Sequence, residues 1–108
     1  MLGAYAASKA TAINITQTAA LELAPKLTVN SICPGAVETE MWKQIDREWS
    51  EHEKRPIGSI WKERTRNVPM HRTQTAEDLN GMAVFLASAD SDYITGQSYH
   101  VDGGLVMN

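Results

Sequence analysis

The sequence predicts an α/β fold in which two parallel strands are joined through helices. Three observations predict it: a long alanine-rich apolar run over residues 4–24, two short β-branched runs at 27–33 and 98–102, and helical segments filling the interval between those runs. Strands separated by helices pair in parallel, because an antiparallel hairpin needs only a short turn.

The first run carries Tyr5, Ala6, Ala12, Ile13, Ile15, Ala19, Ala20, Leu21, Leu23 and Ala24 and meets no strong breaker before Pro25, which predicts one helix. So many small residues suit close approach to a neighbouring element. No Ser, Thr, Asp or Asn precedes it as a cap, so the helix has an abnormal start. Leu27-Thr28-Val29-Asn30-Ser31-Ile32-Cys33 alternates apolar and polar residues and stops at Pro34-Gly35, which predicts a strand. Residues 40–68 mix Trp42, Trp49 and Trp61 with many charges, and Pro56-Ile57-Gly58-Ser59 breaks them into two short helices. Thr75, with Asp78 at the box position, starts a further helix through Leu79, Met82, Phe85 and Leu86 to about Ser88. Ser98 to Asp102 is the last strand, closed by Gly103-Gly104.

With 108 residues, a formal charge of −3 and 43% hydrophobic residues, the chain suits one modest domain. Lys26, Glu38, Glu40 and Lys43 interrupt every apolar run well short of the roughly 20 residues a membrane span needs. Membrane insertion is not expected, and Met1-Leu2-Gly3-Ala4 lacks the basic start of a secretory signal. Basic residues are scattered without a stripe, which argues against a nucleic-acid partner. The single cysteine, Cys33, reads as a small buried hydrophobe and fits a cytoplasmic location. His52, His71 and His100 stand without partners at metal-ligand spacing, so no metal site is expected.

Tyr5 and Lys9 are the most informative pair. Four residues apart on a helix, they place a phenol beside an ammonium, and a fixed positive charge favours the phenolate that acid/base chemistry near neutral pH requires. Spacing alone also suits packing and solubility. Downstream stand Val29-Asn30-Ser31-Ile32-Cys33-Pro34-Gly35-Ala36-Val37-Glu38-Thr39, Thr75-Ala76-Glu77-Asp78, Tyr93-Ile94-Thr95-Gly96-Gln97 and Val101-Asp102-Gly103-Gly104. In this order the segments resemble the short-chain dehydrogenases/reductases over essentially the whole chain.

The resemblance covers the C-terminal part of that family only. The family's glycine-rich nucleotide turn, its Asn-Ala-Gly segment and its catalytic serine have no counterpart among these residues. Residues 1–108 thus read as a single partial domain, the C-terminal half of a doubly wound, Rossmann-like parallel sheet, with a substrate lid over about 40–70. The resemblance implies an NAD(P)-dependent oxidoreductase interconverting an alcohol and a ketone by hydride transfer. Tyr5 would be the acid/base. Lys9 would favour its phenolate and hold the nicotinamide ribose, while Pro34, Gly35, Val37 and Thr39 would meet the nicotinamide end of the cofactor. NAD and NADP stay open, because the residue that reads the ribose 2′ position falls in the part without a counterpart.

Met41, Trp42, Trp49 and Trp61, with Met70, fall in the family's lid and would contact a small alcohol or ketone. Arg72 and Asp78 resemble a structural pre-helix pair. The length of the lid and the closing segment look most like the acetoin/diacetyl reductases and sorbitol-type polyol dehydrogenases, with a small hydroxyketone or polyol as substrate. In the full-length form the 4–24 helix would join subunits of a homo-oligomer. The competing reading is a catalytically inactive truncated remnant that at most associates with full-length relatives.

Overall fold

A computed structural model describes residues 3–107 of the chain. Its elements run α1 (Gly3–Leu23), β1 (Ser31–Pro34), α2 (Glu40–His52), α3 (Ser59–Arg66), α4 (Asn80–Leu86) and β2 (Ser98–Val101). β1 and β2 form a two-stranded sheet. It is parallel: Ser31 N–H donates to the Gln97 carbonyl and Gly35 N–H to the Val101 carbonyl, so both partners advance together. Two compact units result, one comprising the described residues up to Cys33 with Gly81–Tyr99, the other Pro34–Asn80 with the residues from His100 onward.

In the first unit, α1 tolerates its threonines because Thr11 and Thr16 bond back to the Ala7 and Ala12 carbonyls, each at 2.9 Å. Only Ala20 is buried; a Cβ built on Gly96 would lie 3.5 Å from the Ala20 Cβ, so the small side chain is what admits the 95–97 turn. Ile15, Leu21 and Leu23 remain 60%, 84% and 42% exposed.

The expected strand over 27–33 is shorter than its alternation suggests, because side chains take over the bonds of a ladder. Val29 N–H donates to the Thr95 hydroxyl at 3.0 Å, and Asn30 both donates to the Ile94 carbonyl at 2.8 Å and accepts from Gln97 N–H at 3.1 Å. Regular pairing starts only at Ser31, whose hydroxyl lies 2.7 Å from that of Ser98. Cys33 is partly exposed rather than buried.

The second unit holds the α2–α3 hairpin. Thr39 caps α2, its hydroxyl oxygen accepting from Trp42 N–H at 3.4 Å. The expected break falls between the two helices, where Gly58 has φ 91°, a conformation glycine adopts without strain. Asp46 ties the helices together. The residue is 4% exposed, and its carboxylate accepts from Gly58 N–H and, at 2.8 Å, from Trp61 N–H, capping α3 from the body of α2. Asp46→Ala should strand both donors and cost about 1.5 to 3 kcal/mol, read as a lower urea midpoint with loss of α3 helicity. An unchanged midpoint would mean that water replaces the carboxylate at no cost.

Toward the end of this unit the expected capping box forms, though the helix opens as a 3₁₀ turn over Ala76–Leu79 before α4. Thr75 N–H donates to Asp78 Oδ2 at 2.9 Å, and Arg72 grips the same carboxylate through both terminal nitrogens at 2.6 and 2.7 Å. Arg72 chiefly, with the Thr75 amide, holds the Asp78 carboxyl well below the usual carboxylate range. A depressed folded-state value gives stabilisation that is present above the ordinary aspartate range and lost on acidification below about pH 4. Acid titration by amide hydrogen exchange should therefore open the 75–79 turn below that pH in the native chain, and the Arg72→Gln variant should open at higher pH. Identical profiles would remove the ion pair from the account.

Candidate active site

Tyr5 and Lys9 stand on α1 in the first unit. The Lys9 ammonium lies 5.4 Å from the centroid of the Tyr5 ring, so the helical spacing does bring the two together on one face. Tyr5 is 48% exposed and accessible. Ser8, between them, donates its hydroxyl to the Tyr5 carbonyl at 2.7 Å, a local helix bond.

The remaining candidates belong to the second unit. Pro34 ends β1, and Gly35 follows at a point with no room for a side chain: a Cβ there would sit 2.8 Å from both the Cα and the Cβ of Asp102. Packing against the end of β2 thus demands glycine by itself. Gly35→Ala should force the two strand ends apart at a cost of about 1 to 3 kcal/mol, measurable as a fall in thermal midpoint. A midpoint unchanged within error would show that the loop absorbs the methyl group.

Sequence reasoning missed Gln74, which holds this loop. Its side-chain carbonyl accepts from Gly35 N–H at 2.8 Å and its amide donates to the Val101 carbonyl at 2.6 Å. Its backbone forms a parallel bridge with Val37, through Gln74 N–H to the Ala36 carbonyl and Glu38 N–H to the Gln74 carbonyl. One residue therefore sets the path of Pro34 to Thr39. Nothing in its sequence neighbourhood marks it except its place before the Thr75 cap. Asp102 closes the strand-end turn as expected, accepting from Gly104 and Val106 N–H at 2.9 Å each.

Within the lid segment, Trp42 and Trp61 approach to 5.6 Å between ring centroids at 50°. The Arg64 guanidinium lies over Trp42 at 5.0 Å and over Trp49 at 5.6 Å, and Trp49 Nε1–H donates to Glu53 at 2.7 Å. Arg55 links Glu53 and Glu63 across the hairpin, at 3.2 and 2.6 Å. Trp49 is thus engaged in holding the hairpin, whereas Trp42 and Trp61 line a cleft of about 300 Å³. Met41 is 51% and Met70 62% exposed. Among the described residues no helix is long and apolar enough to cross a membrane.

Comparison with known proteins adds the lineage. Residues 1–106 match the family model described as enoyl-(acyl carrier protein) reductase. The L-2,3-butanediol dehydrogenase of Corynebacterium glutamicum is 46% identical over 100% of this chain and 42% of its own length. The sorbitol dehydrogenase of Cereibacter sphaeroides is 43% identical over 100% of this chain and 43% of its own length. Among solved structures, a putative NAD(P)-dependent gluconate 5-dehydrogenase from Beutenbergia cavernae, with bound NADP, superposes with a TM-score of 0.78 at 37% identity, over 94% of this chain and 38% of that one. The chain belongs to the short-chain dehydrogenase/reductase family, and it spans about two fifths of the length of these curated relatives. The α/β class and the resemblance read from the sequence are both upheld.

Proposed function

We propose that these residues form the C-terminal portion of an NAD(P)-dependent oxidoreductase that interconverts an alcohol and a ketone, the substrate being a small hydroxyketone or polyol. The observation that carries the reading is the pairing of Tyr5 with Lys9 on one face of α1. Membership of the family, with butanediol and sorbitol dehydrogenases as relatives, supports it.

The donor set suits a nicotinamide nucleotide. Lys9 is exposed and carries three N–H donors fit for ribose hydroxyls. The Thr39 oxygen is used as acceptor by Trp42 N–H, which leaves its own O–H to donate. When bound, the nicotinamide supplies or takes the hydride at the substrate carbon. In reduction Tyr5 gives its hydroxyl proton to the carbonyl oxygen as the carbinol forms, and in oxidation it takes that proton back. Pro34 and Gly35 turn the chain, Val37 offers backbone groups to the carboxamide, and Thr39 offers its hydroxyl. Met41, Trp42, Trp49 and Trp61 belong to a lid that excludes water from the substrate.

A second reading, a non-catalytic remnant that associates with full-length relatives, is favoured by the exposed Ile15, Leu21 and Leu23, apolar side chains spread around α1 and suited to burial against further protein. The test joins these residues to the upstream half of a close relative and follows reduced-nicotinamide absorbance with acetoin, diacetyl and sorbitol. Cofactor-dependent turnover of at least one is expected; none with any of them would overturn the oxidoreductase reading.

A further inference from the structure

Residues 36–38 pair with Gln74, and that pairing fixes which way each backbone group faces. A parallel bridge bonds through the residues on either side of the paired one, here the Ala36 carbonyl at 3.3 Å and Glu38 N–H at 3.4 Å. The Val37 carbonyl is thereby turned to the opposite edge. Val37 N–H is spent on the Gly35 carbonyl at 3.1 Å. What the segment presents to a ligand is therefore a carbonyl oxygen, an acceptor that suits an amide N–H₂ and not a methyl ketone.

Backbone bonds of 3.3 and 3.4 Å are long, and the Gln74 side chain reinforces them. Its Oε1 accepts from Gly35 N–H at 2.8 Å and its Nε2–H donates to the Val101 carbonyl at 2.6 Å, the same carbonyl that takes Gly35 N–H in the sheet at 3.2 Å. One planar amide thus closes a ring of bonds across the ends of β1 and β2, two residues before Val37. The ring needs an acceptor and a donor on one carbon, which neither an ionised carboxylate nor a thioether supplies. Gln74 is itself held from both sides: Arg72 donates to the Thr73 carbonyl at 3.1 Å, and Arg72 and Thr75 N–H both bind Asp78. Crowding against Asp102 leaves Gly35 little room to shift. All of these groups belong to the second unit.

We propose that Gln74 is a positioning residue for the nicotinamide end of the cofactor: its side-chain amide fixes the orientation of the Val37 carbonyl that receives the carboxamide N–H₂. The proposal rests on the oxidoreductase reading above and adds a residue to it.

The experiment uses the chain joined to the upstream half of a close relative. Calorimetry gives its affinities for NADH, for the 3-acetylpyridine analogue, in which a methyl group replaces the carboxamide nitrogen, and for ADP-ribose, which lacks the ring; the 2′-phosphorylated forms serve if the protein uses NADP(H). The parent should hold NADH about three- to tenfold tighter than the acetylpyridine analogue, the worth of one hydrogen bond. Gln74→Met keeps the reach and drops both polar groups, so it should lose most of that preference and leave ADP-ribose affinity unchanged. Gln74→Glu keeps the acceptor for Gly35 but sets an oxygen against the Val101 carbonyl, and it should lose the preference too. Without cofactor, amide hydrogen exchange at Gly35 and Glu38 should quicken in both variants. No preference in the parent, a preference or an exchange rate unmoved in Gln74→Met, or a preference retained by Gln74→Glu would overturn the proposal. An equal weakening of all three nucleotides would overturn it as well, because that marks a merely structural role. Nicotinamide-linked turnover with an unmoved preference sinks the role of Gln74 and spares the oxidoreductase reading; a parent with neither turnover nor affinity for NADH sinks both.

Discussion

The purified 108-residue chain, mixed with NAD(P)H and acetoin, diacetyl or a ketose, should give no measurable loss of reduced-nicotinamide absorbance. The family's glycine-rich turn would seat the cofactor pyrophosphate on a helix terminus, and its serine would polarise the substrate oxygen; neither has a counterpart in these residues. Positioning of reactants can supply about 7 to 11 kcal/mol of barrier reduction, and one oxyanion-type donor about 3 to 4 kcal/mol. Losing both would slow turnover by many orders of magnitude, beyond what the presence of Tyr5 and Lys9 can offset. Joined to the upstream half of a close relative, the same residues should turn over. Clear turnover by the chain alone would show that it positions cofactor by some route other than the family's.

What the sequence revealed follows the range of the interactions concerned. Tyr5 and Lys9 meet because helical geometry fixes neighbours four apart, and the Thr75–Asp78 box and the break at Pro56 to Ser59 are equally local signals. Asp46 was invisible as a cap because its partner Trp61 lies 15 residues on, across a turn whose geometry no spacing rule supplies. Asn30 reads as an ordinary polar strand position, yet it serves as a staple to Ile94, 64 residues away, and so shortens β1. Gln74 carries no motif at all, and its role exists only once Gly35 and Val101 are neighbours. Gly35 shows the converse: the sequence offers it as a residue that would meet the cofactor, while the structure sets it against Asp102, a contact that by itself requires glycine. A glycine at that position is therefore weak evidence for cofactor contact, and the weight of the functional reading shifts to α1.

That weight can be tested on one atom. Tyr5→Phe, in the chain joined to the upstream half of a close relative, removes the phenolic oxygen and keeps the ring against which the Lys9 ammonium lies at 5.4 Å. The packing and the cation–π contact of the helix face survive, so thermal stability should be nearly unchanged. Loss of a positioned general acid typically costs about 10² to 10⁴ in rate, a barrier increase of roughly 3 to 5 kcal/mol. The fall should appear in kcat and in kcat/KM alike, because the proton moves only in the transition state, while nicotinamide affinity stays close to that of the parent. Lys9→Met should separate from it by weakening cofactor affinity as well as turnover, since the proposal gives its ammonium the ribose hydroxyls. Full activity of Tyr5→Phe would remove Tyr5 from the mechanism; an equal loss of cofactor affinity in both variants would instead make Tyr5 a binding group, with the proton supplied elsewhere.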